Sequence, residues 1–273
     1  MNAHQISRTP GTAHRVGKLL SQWGTTLLPF AVLVAVWQLV VQAGYVPSST
    51  LPAPMRVVET GVELIGDGQL LTHLWASLGR VVVGFAVSAS LGIGLGLVLG
   101  FHRALAEYIE PLASFMNALS GIAWIPLAIV WFGLGQVTVT FILWNSIFFL
   151  VFFNTLVGVK NVSKIYQQGV LTLGAGPWQV MTQVLLPGAL PNIANGIRMG
   201  MGFGWRALIA AEMVASTTGL GFMIFDASRY HRSDIILLGI VTMGVLWLAT
   251  DRLLLVPFER WTIERWRLVS KLQ

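Results

Sequence analysis

Between Glu110 and Lys160 the chain runs for 49 residues without a charged side chain. As one α-helix this stretch extends about 73 Å, more than twice the roughly 30 Å hydrocarbon core of a bilayer. It must fold back, and Gly133-Leu134-Gly135-Gln136 supplies the turn signal. Two membrane spans result, the third and fourth of the chain. Composition agrees with a membrane setting. Only 10% of the 273 residues are charged and 55% are hydrophobic, whereas an average soluble domain carries about 25% charged residues. With a mean hydropathy of +0.73, too few polar side chains remain to cover a soluble surface. A soluble enzyme, a nucleic-acid-binding module and a disordered tail are excluded.

The other spans follow from the remaining uncharged runs. Thr26–Gly44 gives the first, and the 22 residues between Arg80 and Arg103 give the second. The fifth starts near Pro191 and ends near Ser216. The sixth runs from Asp234 past Asp251 to about Val256. Residues 165–197 are also uncharged, but Gly169, Gly174, Gly176, Pro177, Pro187, Gly188, Pro191 and Gly196 argue for short helices joined by turns. One helix ends near Gly174; a second starts at Pro177 and stops before Pro187.

The expected fold is therefore an all-α membrane protein with six transmembrane helices and both termini cytoplasmic. Its divisions are a cytoplasmic tail (1–25), helix 1 (26–44), a periplasmic segment (45–76), a transmembrane domain (77–256) with a cytoplasmic loop (160–190), and a C-terminal interfacial helix (257–273). This orientation places Arg8, Arg15, Lys18, Arg103, Lys160, Lys164, Arg252, Arg260, Arg265, Arg267 and Lys271 inside, and only Arg56, Arg229 and Arg232 outside. The net charge of +6 reads as that positive-inside bias rather than as a nucleic-acid footprint. Pro-rich residues 46–54 lead into an amphipathic helical pattern along the outer surface. Trp261 and Trp266 anchor the C-terminal helix at the inner interface.

Little in the chain points to chemistry. There is no cysteine, and His4, His14, His73, His102 and His231 show no ligand-type spacing. Gly11 to Lys18 has the wrong spacing for a phosphate loop. No catalytic, cofactor-binding or metal residue is expected, and an intramembrane enzyme is weakly supported. Gly92, Gly96 and Gly100, and again Gly196, Gly200 and Gly204, clear one helix face for close packing.

Arg206 and Glu212 lie inside the fifth span. Six residues apart, they point about 120° away from each other, so they do not form an obvious direct pair. Each is either satisfied by a neighbouring helix or faces a solute pathway; in the second case Arg206 favours an anion. Asn117, Ser120, Asn145, Ser146 and Trp205 are further pathway candidates, with helix packing as their plainer role.

The loop between Lys160 and Pro191 is semi-apolar, and such a surface needs cover. The rest of the protein, lipid headgroups or a partner subunit could supply it. The loop resembles the inner loop of permease subunits of bacterial ATP-binding-cassette importers. Their signature is Glu-Ala-Ala, three residues, Gly, nine residues, Ile, one residue, Leu-Pro. Aligned on Gly174, the Ile position holds Val184 and the Leu-Pro is Leu186-Pro187, while Gln168, Gly169 and Val170 replace Glu-Ala-Ala.

Further stretches are similar to the nitrate, taurine and alkanesulfonate branch of that family. They are Leu51–Pro54, Ser77–Phe85, Ala123–Gly135, Leu185–Pro191, Ala210-Ala211-Glu212 and Gly219–Phe222. Together they cover roughly residues 25 to 260.

The resemblance implies a type I importer permease in the bacterial inner membrane. It would form half of a pore, as a homodimer with a second copy. Two cytoplasmic ATPase subunits would dock on the coupling segment Gln168–Pro177, which includes Ala175 and Gly176, and a periplasmic or lipid-anchored binding protein would deliver the solute. Sulfonate, taurine or nitrate is the implied solute class, with a neutral or cationic solute as the alternative. From a different class, a stand-alone carrier should show two repeated halves with broken helices, and no repeat relates 1–136 to 137–273. A structural scaffold would not need Arg206 and Glu212 in one span.

Overall fold

The computed structural model describes residues 28–259 other than the Arg103 side chain, and all regular structure among them is helical. The N-terminal tail and Trp261 and Trp266 lie outside the described residues. Helix α1 (Leu28–Gln42) is largely exposed and apolar. It is followed by α2 (Pro54–Gly66), started by a proline in its first turn. Next come α3 (Gln69–Phe101), α4 (Arg103–Ala118), α5 (Ile125–Phe132) and α6 (Gln136–Lys160). The series closes with α7 (Lys164–Thr172), α8 (Pro177–Val180), α9 (Leu186–Ala215), α10 (Leu220–Arg229) and α11 (Ser233–Thr250).

Helix α6 is the centre of the packing. The two glycine stripes both serve it. An ideal Cβ on Gly92 would lie 3.0 Å from Val151 Cβ, and one on Gly96 2.6 Å from Thr155 Cβ. Gly100 meets Val159 in the same way. These partners advance together, so α3 runs parallel to α6. On α9, Gly196 faces Asn154, Gly200 faces Ile147 and Val151, and Gly204 faces Ile147. Here the partners run backwards, so α9 is antiparallel to α6. With no side chain on the glycine faces, α6 packs directly against the α3 and α9 backbones, and dispersion supplies the association that lipid does not oppose. Val139, Ile142, Leu143, Ile147 and Val151 of α6 fill the core against Val81, Leu208 and Ala211.

Two expectations are corrected. The third span is not one helix. Helix α4 ends at Ala118, Leu119 and Ser120 follow outside any helix, a single 3₁₀ turn spans Gly121–Trp124, and the two sides of the break bend by 82°. Helix α3 itself extends beyond the uncharged run, beginning at Gln69, eleven residues before Arg80.

Nor does Pro187 stop a helix. The chain is helical from Pro177 to Ala215, through both Pro187 and Pro191. A wide turn at Met181–Leu185 lets Leu186 N–H reach the carbonyl of Met181 just before the proline, which has no N–H of its own. The same device recurs at Asp251–Leu255, where Val256 N–H reaches Asp251 ahead of Pro257.

By length and composition three helices can cross a membrane, Gln69–Phe101, Gln136–Lys160 and Ser233–Glu259. Two bent pairs raise this to five if each is one span. The Gly133–Gly135 turn stands where the sequence puts it, with φ of +73° and +130° that suit glycine.

Candidate functional site

Three features at different heights of the bundle carry the functional candidates. At the end where α3 and α6 begin, Arg80 and Glu212 meet. The Arg80 guanidinium donates to Glu212 at 2.6 Å, to the Thr218 carbonyl at 2.6 Å, to Thr218 Oγ1 at 2.8 Å and to Gln136 Oε1 at 2.8 Å. Glu212 also accepts from Ser77 Oγ at 2.9 Å and from Gly221 N–H at 2.9 Å. Ser77 Oγ in turn accepts from Leu220 N–H at 2.8 Å.

The network ties α3, α6, α9 and α10 together, and Glu212 is wholly buried in it. A buried carboxylate is tolerable only when paired and saturated with hydrogen bonds in this way. Sequence reasoning missed Arg80, Ser77, Gln136 and Thr218. The available signal was a second lone charge, Arg80, in a span that offered it no local partner.

Midway along the bundle, five of the seven pathway candidates come together. Asn117 from the end of α4, Ser120 from the α4–α5 break, Asn145 and Ser146 from α6, and Arg206 from α9 line one cavity of about 440 Å³. On α9 the lining residues Phe203, Arg206 and Ala207 fall at helical i, i+3, i+4 spacing, one stripe. The irregular backbone between α4 and α5 forms one side of the cavity, opposite α6 and α9.

Asn145 is buried yet makes no hydrogen bond among the described residues. Arg206 is exposed, with the Phe203 ring 5.4 Å from its guanidinium carbon and no carboxylate partner among the described residues. The other two arginines of α3 and α9 are neutralised: Arg80 by Glu212, and Arg198 by Asp251 at 3.0 Å and Glu259 at 2.9 Å.

Trp205 and Glu212 stand apart from this group. Trp205 packs into the core against α6, and its indole nitrogen has no partner among the described residues. It borders a second cavity of about 500 Å³ between α9, α10 and α11.

At the opposite end, the loop between α6 and α9 is built for rigidity. Helix α7 ends in a Schellman cap, in which Gly174 N–H donates to Leu171 and Ala175 N–H to Val170. The cap needs a left-handed residue, and Gly174 has φ +84° with open space around it. Its glycine therefore serves the turn rather than a close approach. Gly176 then caps α8, its N–H donating to Gln179 Oε1 at 2.8 Å, with Pro177 in the first turn.

Gln168 and Gly169 are exposed on α7 and Val170 is half-buried, while Leu186 and Pro187 are half-buried at the start of α9. The loop surface is apolar: Ile165, Tyr166, Leu173 and Trp178 are each at least two-thirds exposed, Leu173 to 86%.

Residues 91–256 match the family described as binding-protein-dependent transport system inner membrane component. SsuC of Bacillus subtilis (strain 168), named for aliphatic sulfonates transport, is 34% identical over 252 residues, 92% of this chain and 88% of its own. The taurine transport system permease TauC of Escherichia coli (strain K12) is 34% identical over 79% of this chain and 80% of its own. The nitrate import permease NrtB of Synechocystis is 30% identical over 84% and 88%. An inward-facing structure of the MetNI methionine ABC transporter superposes with a TM-score of 0.51 at 18% identity, covering 67% of this chain and 93% of that one. At that identity the likeness bears on the fold.

Proposed function

Because the chain belongs to the binding-protein-dependent transport system inner membrane component family, in its sulfonate, taurine and nitrate branch, we propose that it is the permease of an ATP-driven importer for a small anionic solute. The observation that carries the choice of solute is Arg206, a cation without a carboxylate partner among the described residues, on the wall of a cavity midway along the bundle. In this reading Asn117, Ser120, Asn145 and Ser146 form the pathway wall with it. Trp205 packs behind that wall, and Glu212 anchors it through Arg80.

Two ATPase subunits dock on the loops of two permease copies, and hydrolysis occurs in those subunits. Support comes from the exposed Ile165, Tyr166, Leu173 and Trp178, since an apolar patch on a rigid loop needs a partner. Gln168, Gly169, Val170, Gly174, Ala175, Gly176 and Pro177 form the docking segment. Leu186 and Pro187, the first two residues of α9, belong to the same coupling element. Because α8 continues without a break into α9, a push on the loop moves the helix that carries Arg206. A periplasmic or lipid-anchored binding protein supplies solute at the other end.

The test is ATP hydrolysis by the copurified complex in lipid nanodiscs, with and without its binding protein. Taurine, alkanesulfonates, nitrate and a neutral control are each offered. Stimulation by one anion-loaded binding protein is expected. Failure of any ATPase to copurify with the chain contradicts the proposal.

A further inference from the structure

The cavity at the α4–α5 break has the attributes of a ligand site rather than a passive conduit. Its volume of about 440 Å³ lies within the roughly 300–1,000 Å³ of small-molecule sites. An uncompensated cation at membrane depth is costly and persists where it has an ionic guest or a wet cavity. The chain neutralises Arg80 and Arg198 with carboxylates and leaves Arg206 without one among the described residues. Asn145 adds an amide with no hydrogen-bond partner among those residues, on the same wall. Ser146 completes the donors. A Cβ on Gly121 would collide with its Oγ, so the glycine at the start of the 3₁₀ turn is what admits the hydroxyl.

We propose that this cavity is a binding site for a small oxyanion within the permease itself, resting on the reading of the cavity as part of the solute pathway. Arg206 supplies the charge, and the Asn145 amide and the Ser146 hydroxyl donate hydrogen bonds to the oxygens. Charge-assisted donors of this kind discriminate anions from neutral isosteres. The permease therefore selects solute a second time, after the binding protein has released it.

The experiment is equilibrium binding of radiolabelled taurine and nitrate to the complete permease–ATPase complex in nanodiscs, without binding protein. Methanesulfonate and a neutral amide serve as competitors, and thermal stability checks folding. The wild-type complex is expected to bind an anion saturably, with competition from methanesulfonate and none from the amide. Arg206→Gln should weaken binding by about tenfold or more, Arg206→Lys should keep most of it, and Asn145→Leu should give a smaller loss. Absence of saturable binding of either labelled anion to the wild type overturns the site, as does equal binding by a folded Arg206→Gln complex. If the complex imports anions but binds none, the site falls and the importer stands. If it binds through Arg206 but does not import, the reverse holds.

Discussion

Arg80 Nη1 lies 2.6 Å from Glu212 Oε1, across 132 residues of sequence. Neither side chain is more than slightly exposed, at 8% and 0%. Removing one partner leaves the other charge buried without compensation. Glu212→Ala should destabilise the protein by about 3–5 kcal/mol, read by denaturant or thermal unfolding in detergent. A loss below about 1 kcal/mol would show that the pair does not hold α3, α9 and α10 together.

The pair between Lys160 and Glu110 links α4 to the end of α6, but its side chains are 39% and 30% exposed. Water and ions screen such a pair, and holding two flexible side chains costs entropy. Lys160→Met should therefore change stability by less than about 1 kcal/mol. Measured alongside Glu212→Ala, it separates burial from ion pairing as the cause of any effect.

Gly94 and Gly96, two residues apart on α3, lie on nearly opposite faces of the helix. A Cβ at Gly96 would sit 2.6 Å from Thr155 Cβ, while one at Gly94 meets nothing within 4 Å. Gly96→Ala should cost about 1–3 kcal/mol through overpacking. Gly94→Ala should be neutral or stabilise by up to about 1 kcal/mol, since alanine favours the helix. Equal effects at both positions would contradict the α3–α6 register.

Gly174 at φ +84° tolerates only residues that enter the left-handed region. Asparagine does so at modest cost, whereas a bulky residue strains the backbone by about 1–2 kcal/mol. Solute uptake should fall in the order wild type, Gly174→Asn, Gly174→Leu, with the protein folded throughout. Normal uptake and ATPase recruitment in Gly174→Leu would remove the loop cap from the coupling path.

Much of this fold was legible because membrane burial acts on local composition. The uncharged runs, the glycine turn at Gly133–Gly135 and both small-residue stripes are local patterns, and each stands in the structure. Tertiary compensation was not legible. Pro187 reads as a helix stop from its missing N–H, and only the wide turn before it lets the helix continue.

The break at Leu119–Ser120 was hidden inside a run whose composition is apolar on both sides, although Ser120-Gly121 is a turn signal. The helical offset of Arg206 from Glu212 indicates that they do not pair. It is silent on Arg80, because no local pattern relates residues 132 apart.

The most direct measurement is solute uptake into proteoliposomes holding the permease–ATPase complex, with the loaded binding protein outside and ATP either trapped or added. An importer takes up a sulfonate, taurine or nitrate only when ATP reaches the ATPase side, and Arg206→Gln reduces that uptake while Arg206→Lys restores most of it. Uptake of the same solute by the purified chain alone, driven by an ion gradient without ATP, would contradict the importer and make the protein a stand-alone carrier.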